Sequence, residues 1–213
     1  MFSRKAFGLI ALAVAGSVGA VYASLADTPF FPPDLQTTPG ECPENRYYPA
    51  HRRPVLEPHE ASWFRGQLRT VNEEPLFRAD AGRSPTLRFT LLSNQVVTTV
   101  RLTKVEGGRL HMTAKWLHPC ADERGCGVRR LLSPEEQARV EAALEPLLRV
   151  PSYGCNGPVD SGSSILESRD GDTYRLWHQR SSPTPEMAAA ASLLLQLSEW
   201  PTAHEFYRSA SRA

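Results

Sequence analysis

Charge of one sign is what the sequence most lacks. Twenty-four Lys and Arg face 23 Asp and Glu, a formal net charge of +1, so no global positive field exists for nucleic acid. Lysine is nearly missing. The basic residues are 21 Arg and 3 Lys, a skew that reads as genomic composition rather than as a binding signature. The 14 glycines are too few for a collagen-like repeat, and 41% apolar with 22% charged residues excludes a wholly disordered chain. There is no Gly-rich phosphate loop, no Cys-x-x-Cys pair and no His-x-x-x-His pair on a predicted helix. No nucleotide, metal or other cofactor is therefore expected. At 213 residues the chain fits one domain with an extension.

Residues 1–26 read as a secretory signal. Arg4 and Lys5 form a short positive region, and Ala6 to Ala26 carries no charge. Cleavage is expected after Ala23 or Ala26, each preceded by small residues at the required positions. The alternative is an uncleaved inner-membrane anchor over residues 6–26, long enough to span but diluted by Gly8, Gly16, Ser17, Gly19 and Ser24. No Cys follows the apolar run, which excludes lipoprotein processing. Removal takes away two positive charges and no negative one, moving the net charge from +1 to −1. The expected location is the periplasm or the exterior.

Export gives the four cysteines a meaning. Cys42, Cys120, Cys126 and Cys155 are an even count in an oxidising compartment, so two disulfides are expected among three open connectivities. Ala-Asp-Glu-Arg-Gly between Cys120 and Cys126 is a turn-forming stretch that favours a local bond. Cys42 then pairs with Cys155, tying the N-terminal arm to the domain. A zinc site would have to use His118, Cys120 and Cys126 with a remote fourth ligand, and oxidation is preferred to it.

Eight prolines fall in residues 27–58. They exclude regular helix and inner strand, so this segment is an extended arm, read as a spacer. Tyr47, Tyr48, His51, Arg52 and Arg53 are its candidate contacts if it binds a partner. The globular part is expected over 59–200, with a tail at 201–213. Residues 59–72 have helical spacing through Trp63, Phe64, Gln67, Leu68 and Val71. A three-stranded meander follows over 86–92, 96–104 and 109–117. A turn at Ser93-Asn94 pairs Leu91 with Val96 and Leu87 with Val100. A three-residue Glu106-Gly107-Gly108 loop pairs Leu102 with Met112 and Val100 with Ala114, which keeps one face apolar. Ser133-Pro134-Glu135-Glu136 is a capping box that opens a helix buried through Val140, Leu144, Leu147 and Leu148. Pro146 is expected to end or kink it near Glu145. Residues 163–168 and 173–179 form a hairpin around Asp170-Gly171, pairing Ile165 with Leu176, with Leu166, Arg175 and Trp177 on the other face. A last, nearly all-apolar helix runs from Thr184-Pro185-Glu186 to about Trp200. The fold class is α+β: an antiparallel sheet, meander plus hairpin, with helices packed on one face, preceded by the Pro-rich arm.

Several of these stretches resemble a group of uncharacterised exported bacterial proteins. They are Trp63-Phe64-Arg65-Gly66-Gln67-Leu68-Arg69 leading to Glu74-Pro75-Leu76, Leu87-Arg88-Phe89-Thr90-Leu91-Leu92, Ser133-Pro134-Glu135-Glu136, and Ile165-Leu166-Glu167 with Arg169-Asp170-Gly171. The resemblance covers roughly residues 57–199. The chain departs from the group at Cys120, Cys126 and Cys155, where Gly- or Pro-rich loops are expected, and at Ser163-Ser164. The resemblance implies an exported α+β domain and carries over no catalytic residue.

No segment carries a recognisable catalytic motif. Asp160-Ser161-Gly162-Ser163-Ser164 leads into a hairpin rather than a nucleophile elbow. Cys155 with His178 is a thiol pair only if Cys155 is reduced. Asp170-Gly171-Asp172 is too short for a calcium loop. What remains is a polar sheet face with Arg88, Arg101, His111 and Lys115, joined by Arg175 and Trp177 on the outward side of the hairpin. Such a face suits an acidic protein or an anionic envelope polymer. The expectation is a non-catalytic periplasmic interaction protein, such as an inhibitor or immunity-type partner of an envelope-acting enzyme. The alternative is a small envelope hydrolase using Cys155 and His178 or the Ser161–Ser164 loop.

Overall fold

Alternating apolar and polar residues give the chain one large two-sided sheet, and each side meets a different cover. The structure is a computed structural model that describes residues 29–44, 48–78, 84–93, 96–117, 127–157, 162–180 and 183–200. The chain divides into two units, Met1–Phe30 and Phe31–Ala213, and every element named below lies in the second. The signal and tail expectations, and the Cys120–Cys126 bond, lie outside the described residues.

A ribbon comes first, β1 (Pro39–Cys42) with β2 (His51–Pro54). Helix α1 (Pro58–Thr70) follows, then β3 (Thr86–Ser93), β4 (Val96–Lys104), β5 (Leu110–Leu117) and β6 (Gly127–Leu131). Helix α2 (Pro134–Leu148), β7 (Tyr153–Cys155), β8 (Ser163–Asp170), β9 (Thr173–Arg180) and α3 (Pro185–Leu197) complete the order. The seven-stranded sheet runs β6-β5-β4-β3-β8-β9-β7. All neighbours are antiparallel except β7 with β9. The α+β class therefore holds, with a mixed sheet in which meander and hairpin join through β3 and β8. Among the described residues no helix is long and apolar enough to cross a membrane.

Register came out in two ways. Between β4 and β5 the expected pairs are observed, Leu102 with Met112 and Val100 with Ala114. Gly107 and Gly108 take φ of 78° and 76° in the connecting turn, where a side chain would be strained. Between β3 and β4 the pairing is shifted by two, with Leu91 opposite Thr98, Phe89 opposite Val100 and Leu87 opposite Leu102. In the hairpin Asp170 pairs with Thr173, so Gly171-Asp172 is the turn and Ile165 faces His178 rather than Leu176. Gly171, at φ 55°, supplies the left-handed residue. A slip of two keeps every side chain on its face, so alternation alone does not choose between these registers.

One face carries Leu87, Phe89, Leu91, Val100, Leu102, Met112, Ala114, Leu166 and Trp177, all buried in the main core with α2 and α3. Ser133 caps α2 as expected: its Oγ accepts from the Glu136 amide at 3.2 Å, while Glu136 Oε2 accepts from the Ser133 amide at 2.8 Å. The helix does not stop at Pro146. It continues to Leu148 because Leu147, 1% exposed, anchors the last turn in the core. Thr184 caps α3.

The first helix does not join the other two. Phe64 stacks edge-on against His178, centroids 5.6 Å apart, on the opposite side of the sheet. Helices on one face thus become two on one face and one on the other. Helix α1 buries Glu60, Ala61, Phe64 and Leu68, whereas Trp63 stays 43% exposed. Its end is a Schellman turn: Asn72 takes φ 54°, the Glu73 amide donates to Leu68 carbonyl at 2.9 Å, and Asn72 donates to Arg69 at 3.0 Å.

From Phe31 onward the Pro-rich segment is not a spacer. Leu35, Cys42, Val55 and Leu56 are buried, and Cys42 is bonded to Cys155 with Cα atoms 5.1 Å apart. Gly154 in β7 lets the Pro54–Val55 backbone lie directly on it; a Cβ there would meet Val55 O at 2.2 Å.

Candidate functional site

The polar sheet face is where the sequence placed a binding surface, and its residues separate into a dry half and an open half. Arg88 is fully buried. Its Nε and Nη2 donate to the two oxygens of Glu167 on β8 at 2.7 and 2.8 Å, and Nη1 donates to Glu74 carbonyl at 2.7 Å and Glu73 at 3.3 Å. Tyr174 OH donates to the same Glu167 at 2.8 Å. Arg88 is raised further above its ordinary value because its burial is outweighed by Glu167 and Glu73. It holds the molecule together and is not available to a partner.

The Schellman turn of α1 carries Glu73 into this face. Its buried carboxylate receives Arg101 and Lys115, the latter at 2.8 Å, besides Arg88. Burial alone would raise the Glu73 carboxyl, but Arg101, Lys115 and Arg88 together hold it below the usual range. Lys115 also donates to Asn72 carbonyl at 3.0 Å. Arg101 and Lys115 keep 28% and 32% of their side chains in solvent, so each serves as wall and as surface.

Outward from them the face is uncovered. His111 and Thr113 on β5 are half-buried, and next to them β6 exposes Arg129 and Leu131, the latter at 44%. The register puts Thr113 opposite Arg129 and His111 opposite Leu131. Among the described residues Arg129 makes no ion pair. Arg130, on the other face, is committed to Glu136 at 2.7 and 2.9 Å. Its hydrogen bonds, with that of the Ser133 amide, lower Glu136 to about 2.

Two expected members belong elsewhere. Trp177 is buried in the main core on the α2–α3 side, and Arg175, on the same side, donates to Leu148 carbonyl. The outward side of the hairpin assumed for them is the helix-covered side, because α2 and α3 pack on the face that carries Leu166. His178 occupies the polar face instead.

The hydrolase alternative also divides. Cys155 is in the disulfide and offers no thiolate. Ser163 and His178 do meet, with Oγ 2.9 Å from Nε2, and His178 Nδ1 lies 3.7 Å from Glu60 Oε2. That is the composition of a Ser-His-carboxylate relay, but the second step is beyond hydrogen-bond reach. Glu60 is already held by Arg53 and by the Glu57 amide at 2.9 Å. Burial pushes His178 down to about 4, against the attraction of Glu60. Ser163, His178 and Glu60 are 1%, 0% and 2% exposed, so substrate has no access to the hydroxyl. The trio, with Arg53 donating to Asn156 Oδ1 at 2.8 Å, fastens α1 and the ribbon to the sheet.

A cleft of about 620 Å³ opens beside the disulfide, walled by Pro43, His51, Pro146, Val150 and Tyr153. Arg52 and Glu41 face each other across its rim at 3.8 Å. Tyr153 hydroxyl lies 3.3 Å from Thr184 Oγ1 and accepts from Gln179 at 2.9 Å. The Tyr153 and Thr184 hydroxyls are thus engaged in structure. No group of His, Cys, Asp and Glu among the described residues is arranged to hold a metal ion. No protein-family model and no curated protein matches the chain.

Sequence reasoning missed Glu73, Glu167 and Arg129. Glu73 carried one signal, the Asn72 that ends α1 in a left-handed turn. Arg129 had none, since a five-residue strand with alternate exposed side chains looks like a loop.

Proposed function

We propose that the protein is an exported, non-catalytic interaction protein that binds an acidic partner protein of the cell envelope through the open end of its polar sheet face. An inhibitor or immunity-type role toward an envelope-acting enzyme is the form that fits this surface. The observation that carries the reading is the outer row itself: Arg101, His111, Lys115 and Arg129 reach solvent beside exposed Leu131 at one end of the sheet. The charges of Arg101, Lys115 and Arg129 around an apolar contact favour an acidic partner and disfavour basic ones. Export and removal of residues 1–26 are supported by Arg4, Lys5 and the uncharged run after them, and by a long-range disulfide of the kind oxidising compartments favour.

The test is quantitative capture from a cell-envelope fraction by the mature chain, comparing wild type with the double variant His111→Glu and Arg129→Glu. Both residues lie outside the buried pairs, so folding should be kept. Like charges at an interface cost several kcal/mol, and about 3 kcal/mol is over a hundredfold in affinity. Equal capture by both proteins would remove this face as the site. The hydrolase reading keeps one favouring observation, the 2.9 Å approach of Ser163 to His178. Labelling of Ser163 by a fluorophosphonate would revive it; the expected result is no label.

A further inference from the structure

Strand β6 ends the large sheet, with β5 as its sole strand neighbour among the described residues. The Leu132 amide donates to Leu110 carbonyl at 2.9 Å. In an antiparallel pair the bonded residues alternate, so Arg130 and Val128 also turn their backbone groups toward β5. Gly127, Arg129 and Leu131 then turn theirs outward, and these same three are the exposed residues of the strand. Five residues present about 17 Å of edge. The opposite edge, β7, is three residues long and lies against the β1–β2 ribbon.

Resting on the reading of this face as a binding surface, we infer that the partner adds an extended acidic segment to β6 as an eighth, antiparallel strand. Strand addition draws affinity from main-chain hydrogen bonds and specificity from alternate side chains. The side chains that decide are Arg129 and Leu131, two residues apart on one face. A matching segment carries a carboxylate opposite Arg129 and an apolar residue opposite Leu131. A second copy of this chain is a poor occupant, because antiparallel self-pairing along the whole of β6 sets Arg129 directly opposite Arg129, and like charges directly opposite are destabilising. The same arginine guards the edge against indiscriminate pairing. An acidic strand meets it as a complement.

The probe is a capped heptapeptide, Thr-Glu-Thr-Leu-Thr-Glu-Thr, titrated into the isotope-labelled mature chain and followed by amide NMR. The amides of Gly127, Arg129 and Leu131 should shift. Affinity should fall at least tenfold when both Glu of the peptide become Lys, and equally when its Glu and Leu amides are N-methylated. Arg129→Glu protein should lose the acidic peptide and gain the Lys peptide; its unchanged thermal transition shows that it folds. No shift at residues 127–131, or equal binding of the methylated peptide, overturns strand addition. If envelope capture is still lost in the His111→Glu, Arg129→Glu protein, that failure belongs to the pairing mode alone. Unaffected capture would instead be the failure of the face reading.

Discussion

Glu167→Gln keeps the size of the side chain and removes its charge at the driest point of the polar face. In the wild type both carboxylate oxygens accept from Arg88, at 2.7 and 2.8 Å, and both side chains are 0% exposed. The amide can offer Arg88 one acceptor and turns an NH2 toward a donor. Besides that acceptor Arg88 keeps Glu74 carbonyl and the longer Glu73 contact at 3.3 Å. Breaking one side of a buried pair costs about 3–5 kcal/mol. For a chain of this size each kcal/mol is about 2–4 °C in Tm, so a fall of roughly 6–20 °C is expected by calorimetry. The double change Arg88→Met with Glu167→Leu removes both charges and should recover part of that loss, because apolar replacement of a buried pair is often neutral or stabilising, while the Tyr174 hydroxyl loses its acceptor on Glu167. A cost below about 1 kcal/mol for Glu167→Gln, the behaviour of an exposed pair, would refute the claim that this half of the face is a sealed structural layer.

Two further outcomes follow from the same geometry. Replacing Cys42 and Cys155 by Ser opens a loop closed over 113 residues and should cost about 2–5 kcal/mol in denaturant unfolding; unchanged stability would mean that the ribbon is held without the bond. His178, lowered by burial from 6.5 to about 4, stabilises the neutral state. The unfolded chain takes up that proton first, so stability is full above pH 6.5 and falls as pH drops toward 4, by about 3 kcal/mol at 1.36 kcal/mol per unit. Glu60 and Glu73, both held below 4.5, add their own loss as pH falls through 4.5 and below. A flat stability curve between pH 7 and 4 would contradict the burial of a neutral imidazole.

Local chemistry made some elements readable in advance and left others hidden. The capping box at Ser133 and Glu136 and the two glycines after Glu106 specify their own geometry, and both appear as expected. The registers of β3 with β4 and of the hairpin slipped by two, because a slip of two costs no face. The side taken by α1 was not legible, since Phe64 and Leu68 fit an apolar surface on either side of a sheet. That ambiguity carried over to the site: Arg88, Arg101 and Lys115 do share one face, but the carboxylates that meet them come from Glu73, at the end of α1, and Glu167, in a strand 79 residues from Arg88. Trp177 was misplaced because the sequence does not say which side of the hairpin docks on the core. The ribbon was hidden by its prolines, which β1 and β2 carry at their ends in a two-stranded sheet separate from the large one.

Site-specific photocrosslinking in living cells bears most directly on the central claim, that a partner sits on the open end of the sheet. A benzophenone amino acid is placed at position 131, where it keeps an apolar side chain and leaves Arg129 intact, at 52 on the rim of the cleft, or at 63, where Trp63 is exposed on α1. The expected result is a discrete adduct from position 131, whose crosslinked peptide carries a carboxylate within two residues of the linkage, and none from 52 or 63. An adduct from position 52 or 63 with none from 131 would contradict a partner on the open end of the sheet.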